Sequence, residues 1–199
     1  MKNLFKIIVI GILSAFVATG CQKAPTQEVT DAQAKVEAVT TADTQTYAAD
    51  ELAQLQADMN VALEEIKVQD EKWFGNFDNA KVMLSDLGAS AENIATIAAQ
   101  RKEEAKTAAV NAQIEALTAI ESAKALVDQA PTGKETKADI EMFKMDISGL
   151  EESLAGLQSS IDTEKYSEAL DSANIIKERA SSISNEITLA LEKVKSKKK

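Results

Sequence analysis

The sequence predicts an all-α protein, arranged as elongated antiparallel helical hairpins or a thin coiled-coil bundle, with four helices and a long second helix. Only seven of the 199 residues are glycine and two are proline, so the chain has few turn residues. Alanine, glutamate, lysine and leucine are common, and these residues have high helix propensity. Apolar residues recur at alternating steps of three and four, which is the spacing of one helix face.

The composition limits both the core and the chemistry. Hydrophobic residues make up 45% of the chain but aromatic residues only 4%, which predicts a narrow, alanine-rich seam between helices. The formal net charge is −10, so nucleic-acid phosphates repel the protein and we expect no nucleic-acid binding. The chain has no histidine, which removes the commonest general base and the commonest metal ligand.

Residues 1–20 have the layout of a secretory signal peptide. Lys2 and Lys6 precede an apolar run from Ile7 to Gly20, and the run ends in small residues. A helix that spans a bilayer needs roughly 20 apolar residues, so this run is short for a transmembrane anchor.

The four residues Ala18-Thr19-Gly20-Cys21 resemble the lipobox of bacterial lipoproteins, although that family prefers leucine where this chain has Ala18. The resemblance implies that Cys21 is acylated with diacylglycerol and palmitate chains, and that cleavage before it makes it the first residue. An ordinary secretory signal is the alternative, because Ala18-Thr19-Gly20 also fits a small-x-small cleavage site. That alternative leaves Cys21, the only cysteine, as a free thiol in an oxidising compartment.

The residue after the cysteine suggests a destination. In didermal bacteria, lipoproteins stay in the inner membrane mainly when aspartate follows the cysteine, and Gln22 stands there in this chain. The resemblance therefore implies the periplasmic face of the outer membrane, or the outer face of the cytoplasmic membrane in a host with one membrane. Loss of Lys2 and Lys6 changes the formal charge from −10 to −12.

The mature chain is predicted to begin with a polar tether and to continue as a helical domain. Residues 21–46 are rich in Thr, Gln, Ala and acidic residues with poor apolar periodicity, which indicates a lipidated tether with at most a nascent helix. Breaks are expected at Gly75-Asn76, at the Pro/Gly segment 131–133 and near Asp162. The predicted helices cover about 47–73, 77–128, 134–161 and 164–195 within a domain of 47–195, and residues 196–199 form a basic tail.

The two halves of the domain resemble each other, which indicates a duplicated helical hairpin. Five apolar positions of the first helix recur in the third at a constant offset of 88 residues. They are Leu52, Leu55, Met59, Ala62 and Ile66, followed by Ile140, Phe143, Ile147, Leu150 and Leu154.

The second helix of each hairpin starts with an aromatic residue three positions before an alanine, at Phe77 and at Tyr166. These turns resemble the second half of tetratricopeptide repeats, but the rest of that motif is missing and the helices are about twice too long. The chain as a whole resembles the uncharacterised helical lipoproteins of bacterial envelopes.

No catalytic or metal-binding constellation stands out. Gly133-Lys134 is a fragment of a phosphate-binding loop without its first glycine or preceding strand, so a helix–helix turn is the better interpretation. The acidic pairs, such as Glu103-Glu104, point about 100° apart on a helix and are interpreted as solvated faces. We therefore expect no enzymatic activity, no cofactor and no metal site.

Two clusters remain as candidate sites. Trp73, Phe74 and Phe77 gather at the first turn, either as an apolar plug of the hairpin or as an exposed patch that binds a partner. A second cluster lies at the C-terminus, where lysines complement the helix dipole or contact headgroups or the cell wall. Its members are Lys195, Lys197, Lys198 and Lys199.

These observations predict a lipid-anchored, non-enzymatic spacer or protein-binding scaffold in the periplasm. The alternative is a covalent or electrostatic tether between membrane and peptidoglycan through the basic C-terminus. A terminal Lys199 resembles that of the murein lipoprotein, which is far shorter and ends in a different motif. Open coiled-coil seams also pair between chains, so a homo-oligomer is a further alternative.

Overall fold

The protein is described from a computed structural model, over residues 23–130 and 137–197. Every regular element in these two ranges is an α-helix and neither range contains a strand, which confirms the all-α prediction and the long helix. The described ranges contain six helices where four were predicted. They are α1 (Thr26–Val39), α2 (Ala42–Tyr47), α3 (Ala49–Asp70), α4 (Asp78–Asp128), α5 (Lys137–Asp162) and α6 (Tyr166–Lys197).

The two additional helices lie where the sequence predicted a tether, and this part of the prediction is wrong. Within the predicted tether of 21–46, Thr26–Val39 is helical, and its residues Ala32, Val36 and Val39 are buried. The sequence signal was weak because this stripe is narrow and lies among threonines, glutamines and acids. A helix of 14 residues is marginal alone and is stabilised by packing, here against α3.

The chain divides into two compact units, with the boundary between Ala99 and Gln100 inside α4. The core of unit 1 combines α1, α3 and the first part of α4. Thr41 and Thr44 connect α1 to α2 through a reciprocal capping box, in which each side chain accepts the backbone N–H of the other. This connection places the end of α1 close to the start of α3.

The core of unit 1 is the predicted narrow seam. Leu55 and Leu84 are 2% and 4% exposed, whereas Ala48, Ala62 and Ala80 are completely buried. An alanine with no accessible surface lets neighbouring helix backbones approach closely, so the small residues set the helix spacing as much as the leucines do.

Unit 2 contains the second part of α4 together with α5 and α6. Side-chain pairs join α4 to α5 between Gln113 and Gln158 and between Lys124 Nζ and Glu151 Oε1, both at 2.7 Å. Because the residue numbers rise on α4 while they fall on α5, these two segments lie side by side in opposite directions. The bond between Lys177 Nζ and Glu115 Oε2, at 2.9 Å, joins α6 to α4.

The turn between α5 and α6 packs against the start of unit 2. Lys102 Nζ contacts Glu164 Oε2 at 2.7 Å, and Glu164 adopts a positive φ of 60°. Like Glu115 and Lys177, Lys102 and Glu164 are 62 residues apart, so α6 and α4 run in the same direction in this unit.

The duplicated seam holds at nine of its ten positions. Leu52 and its four companions are buried, as are Ile140, Phe143, Ile147 and Leu150. Leu154 is the exception and is half-buried, because Leu157 takes the buried position one turn later. In α4 the seam continues at Ala109, whereas Ala108, at the spacing of four from Ala112, is exposed.

Helix α4 continues through Gly88, although glycine has a low helix propensity. A Cβ atom built there lies 2.9 Å from Nζ and 3.1 Å from Cδ of Lys35, so a side chain on α1 covers the glycine. The close atoms belong to the outer part of a flexible side chain, which can move away.

We expect Gly88→Ala to stabilise the protein. Alanine improves helix propensity by about 1 kcal/mol, and the displaced Lys35 loses at most an exposed ion pair with Glu92, worth roughly 0–1 kcal/mol. Urea unfolding followed by circular dichroism measures the change, with Ser90→Ala as the control on the exposed face of α4. A lower free energy of unfolding for Gly88→Ala would show that Lys35 packs rigidly.

Candidate functional site

The turn between α3 and α4 holds the first candidate site. The side chain of Gln69 accepts the backbone N–H of Asn76 at 3.3 Å and donates to Glu65 at 2.8 Å. The side chain of Asn76 then accepts the backbone N–H of Asp78, the first residue of α4, at 2.8 Å. These bonds satisfy backbone groups at the start of α4 and fix the path of the turn.

Gly75 allows a close contact between the backbone of this turn and the end of α3. A Cβ atom at Gly75 would overlap the carbonyl oxygen of Gln69 and lie 3.0 Å from its carbonyl carbon. These are backbone atoms at the end of α3, which cannot move aside as a side chain can. Only glycine fits this close approach of the backbone. The two preceding residues, Trp73 and Phe74, lie outside the contact between α3 and α4.

The structure separates the three aromatic residues that the sequence grouped together. Trp73 and Phe74 are 88% and 81% exposed, whereas Phe77 is 3% exposed and belongs to the core of unit 1. Phe77 lies in helical register with Ala80 and Leu84, so it faces the core. Phe77 is therefore the residue that packs as a plug in the hairpin. Trp73 and Phe74 form the exposed patch, which we name the aromatic tip.

The remaining candidate residues lie at the ends of the chain. Cys21 lies outside the described residues, as do Lys198 and Lys199 and the Gly133-Lys134 segment. The backbone of Lys195 and Lys197 belongs to the last turns of α6. The roles proposed for these lysines and for Cys21 stay predictions.

Some of the charged side chains in the described residues form ion pairs at the surface. Glu103 pairs with Lys106 at 3.7 Å, and the hydrogen bond from Lys124 to Glu151 raises the pKa of Lys124 above its ordinary value. Residues 23–130 and 137–197 contain no group of three or more acidic, cysteine or histidine side chains that could hold a metal ion. None of the helices in these ranges is long and apolar enough to cross a membrane.

The chain matches no protein-family model, no curated protein and no solved structure.

One relevant residue was not predicted from the sequence. Pro25, directly before α1, is buried, and Ala24 packs against the core of unit 1. A buried proline four residues after the predicted lipidated terminus, Cys21, shows that the folded unit begins close to that terminus. The sequence contains a signal for the start of α1, because proline is common at the beginning of a helix and Pro25 stands there.

Proposed function

We propose that this protein is a lipid-anchored, non-enzymatic helical scaffold of the bacterial envelope, held at the periplasmic face of the outer membrane by an acyl group on Cys21. The observation that carries the proposal is the position of the only cysteine, directly after a basic and apolar signal-like segment with small residues at its end. The burial of Pro25 supports it, because a short link from Cys21 to the first unit suits a protein held at a surface.

The scaffold part of the proposal rests on the kind of surface that the helices present. Across the described residues the polar side chains are exposed or hydrogen-bonded, and the buried side chains form narrow apolar seams. Such units offer rigid helix faces for contact with an envelope protein, and the chemistry of catalysis is not needed for that task. We also propose that the helices form elongated antiparallel hairpins and that exposed seams pair two copies of the chain. Cross-links between positions 113 on α4 and 158 on α5 test the antiparallel arrangement. Light scattering tests the pairing, because it measures the mass of the particle in solution.

The anchor is tested by replacing Cys21 with serine. We expect the wild-type protein to sediment with envelope membranes and Cys21→Ser to be released, because serine cannot form the thioether to diacylglycerol. Immunoblots of membrane and periplasmic fractions measure this. Circular dichroism of both purified chains is the control for folding. Intact mass spectrometry of the wild-type protein shows the lipid mass on Cys21, and an unmodified Cys21 would contradict the proposal.

A second candidate function follows from the charge at the end of α6. Five of the last seven residues of the sequence are lysine in a chain whose net charge is −10, which favours contact with an anionic partner. We propose an electrostatic or covalent link to peptidoglycan there. Peptide mass spectrometry after muramidase digestion is expected to show a muropeptide on Lys199 for a covalent link. Charge-neutral substitution of the lysines is expected to abolish wall association for an electrostatic one.

A further inference from the structure

The aromatic tip and the start of α1 lie at the same end of unit 1. Helix α3 and the first part of α4 are joined by residues 71–77 and share one core, so they run in opposite directions. The start of α3, 21 residues before Asp70, is therefore about 32 Å from the tip along the helix axis. Helix α1 ends close to the start of α3 through the Thr41–Thr44 connection, so it ends far from the tip.

A contact between α1 and α4 gives the position along the α4 axis at which α1 begins. Lys35 Nζ contacts Glu92 Oε1 at 3.2 Å. Glu92 lies 14 residues after the start of α4, about 21 Å along the axis, and Lys35 lies nine residues after the start of α1, about 14 Å. Because α1 runs away from the tip, its first residue lies about 7 Å along α4 from the start of that helix.

The lipid anchor belongs at this same end. Pro25 is buried against unit 1, and only four peptide steps separate it from Cys21. A fully extended chain covers at most about 3.6 Å per residue, so Cys21 lies within about 14 Å of Pro25. A bilayer that holds acyl chains on Cys21 is thus close to Trp73 and Phe74.

We propose that Trp73 and Phe74 insert into the interface of the bilayer that holds the Cys21 lipid, as a second membrane contact that orients unit 1. This inference rests on the proposed acylation of Cys21. Tryptophan favours the headgroup region of membranes because its ring is apolar and its N–H is polar, and phenylalanine adds apolar area at the acyl boundary. In water, by contrast, both rings are more than four-fifths exposed without any covering group.

The negative charge around the aromatic tip determines which lipid headgroups favour insertion. Residues 70–78 contain three acids and one lysine, and residues 23–99 contain fourteen acids and five lysines, a formal charge of −9. An anionic surface repels such a unit, so neutral, zwitterionic headgroups favour the inserted state. Binding is therefore expected to weaken as anionic lipid is added.

The chain supplies its own probes for a test, because Trp73 is the only tryptophan and Cys21 the only cysteine. The mature chain is coupled through the Cys21 thiol to a maleimide lipid in phosphatidylcholine vesicles. We expect Trp73 emission to shift to shorter wavelength and to be quenched by brominated acyl chains. Chains coupled to a soluble maleimide are expected to show neither change.

A matched variant reverses the orientation of unit 1. In Cys21→Ser/Gln45→Cys the thiol moves to an exposed position on α2, at the end of unit 1 remote from the tip. We expect this protein, once tethered, to keep the emission spectrum of the free chain and to resist quenching. A second variant, Phe74→Ser, alters an exposed residue and keeps the Trp73 probe, and we expect reduced quenching in the Cys21-tethered form.

Three results would overturn the inference. Trp73 emission that stays unchanged in the Cys21-tethered protein would show that the aromatic tip does not enter the bilayer. A shift that appears with protein concentration in solution would assign it to a second copy of this chain. Equal quenching in the Gln45→Cys protein would remove the orientation argument. Because the vesicles supply the anchor chemically, these failures differ from an unacylated Cys21 in cells, which mass spectrometry detects.

Discussion

Replacement of Leu157 by alanine is expected to lower the free energy of unfolding by about 2–5 kcal/mol. Leu157 lies on α5, is 1% exposed and is among the largest fully buried side chains in the described residues. Truncation removes buried methyl groups and leaves a cavity between helices. A thin seam has no second layer of side chains that can relax into that cavity, so we expect an effect in the upper part of this range. Urea unfolding followed by circular dichroism measures it.

Leu154→Ala is the matched control for this prediction. Leu154 lies three residues earlier on the same helix, continues the same apolar repeat and is only half-buried. The two variants lose the same atoms and change helix propensity equally, so their difference reports burial alone. We expect Leu154→Ala to destabilise by less than half as much. Equal effects would contradict the packing of α5 described above.

Replacement of Ala62 by leucine is expected to destabilise unit 1 by about 1–3 kcal/mol. Ala62 lies on α3 with no accessible surface, among the residues that set the spacing of the helices. A leucine there adds three heavy atoms to a closed seam and forces the helices apart or the side chain off its rotamer. Thermal and urea unfolding of the variant measure the loss of stability.

Ala57→Leu is the control for overpacking, because Ala57 is exposed on the same helix. Its helix-propensity change is the same as for Ala62→Leu, and we expect a change in stability within about 0.5 kcal/mol. Equal stability of the Ala62→Leu and Ala57→Leu variants would contradict the close approach of the helices at Ala62.

The helices were predictable wherever a long apolar repeat was present. Residues such as Leu52, Leu55 and Met59 mark a helix face by spacing alone, and α3 through α6 begin and end within three residues of the predicted bounds. Helix α1 was missed because it is short and its buried residues are small, so its stability comes from α3 and α4 rather than from its own sequence.

The candidate site was predictable as a cluster but not as a surface. Trp73, Phe74 and Phe77 are close in sequence, and local pattern alone cannot decide which of them face solvent. That depends on Gly75, which brings the backbone against Gln69 and leaves Phe77 alone in register with α4.

Fold class, helix seams and the charge of the chain follow from the order of residues, because helix formation and apolar spacing are local properties. The lipobox resemblance is likewise a local pattern, and its consequence for Cys21 stays a prediction. Only the packed structure shows that α1 belongs to unit 1, that Pro25 is buried and that the aromatic tip lies at the same end as the start of α1. These facts depend on contacts between residues such as Lys35 and Glu92, which are 57 positions apart, and short-range sequence periodicity carries no information about them.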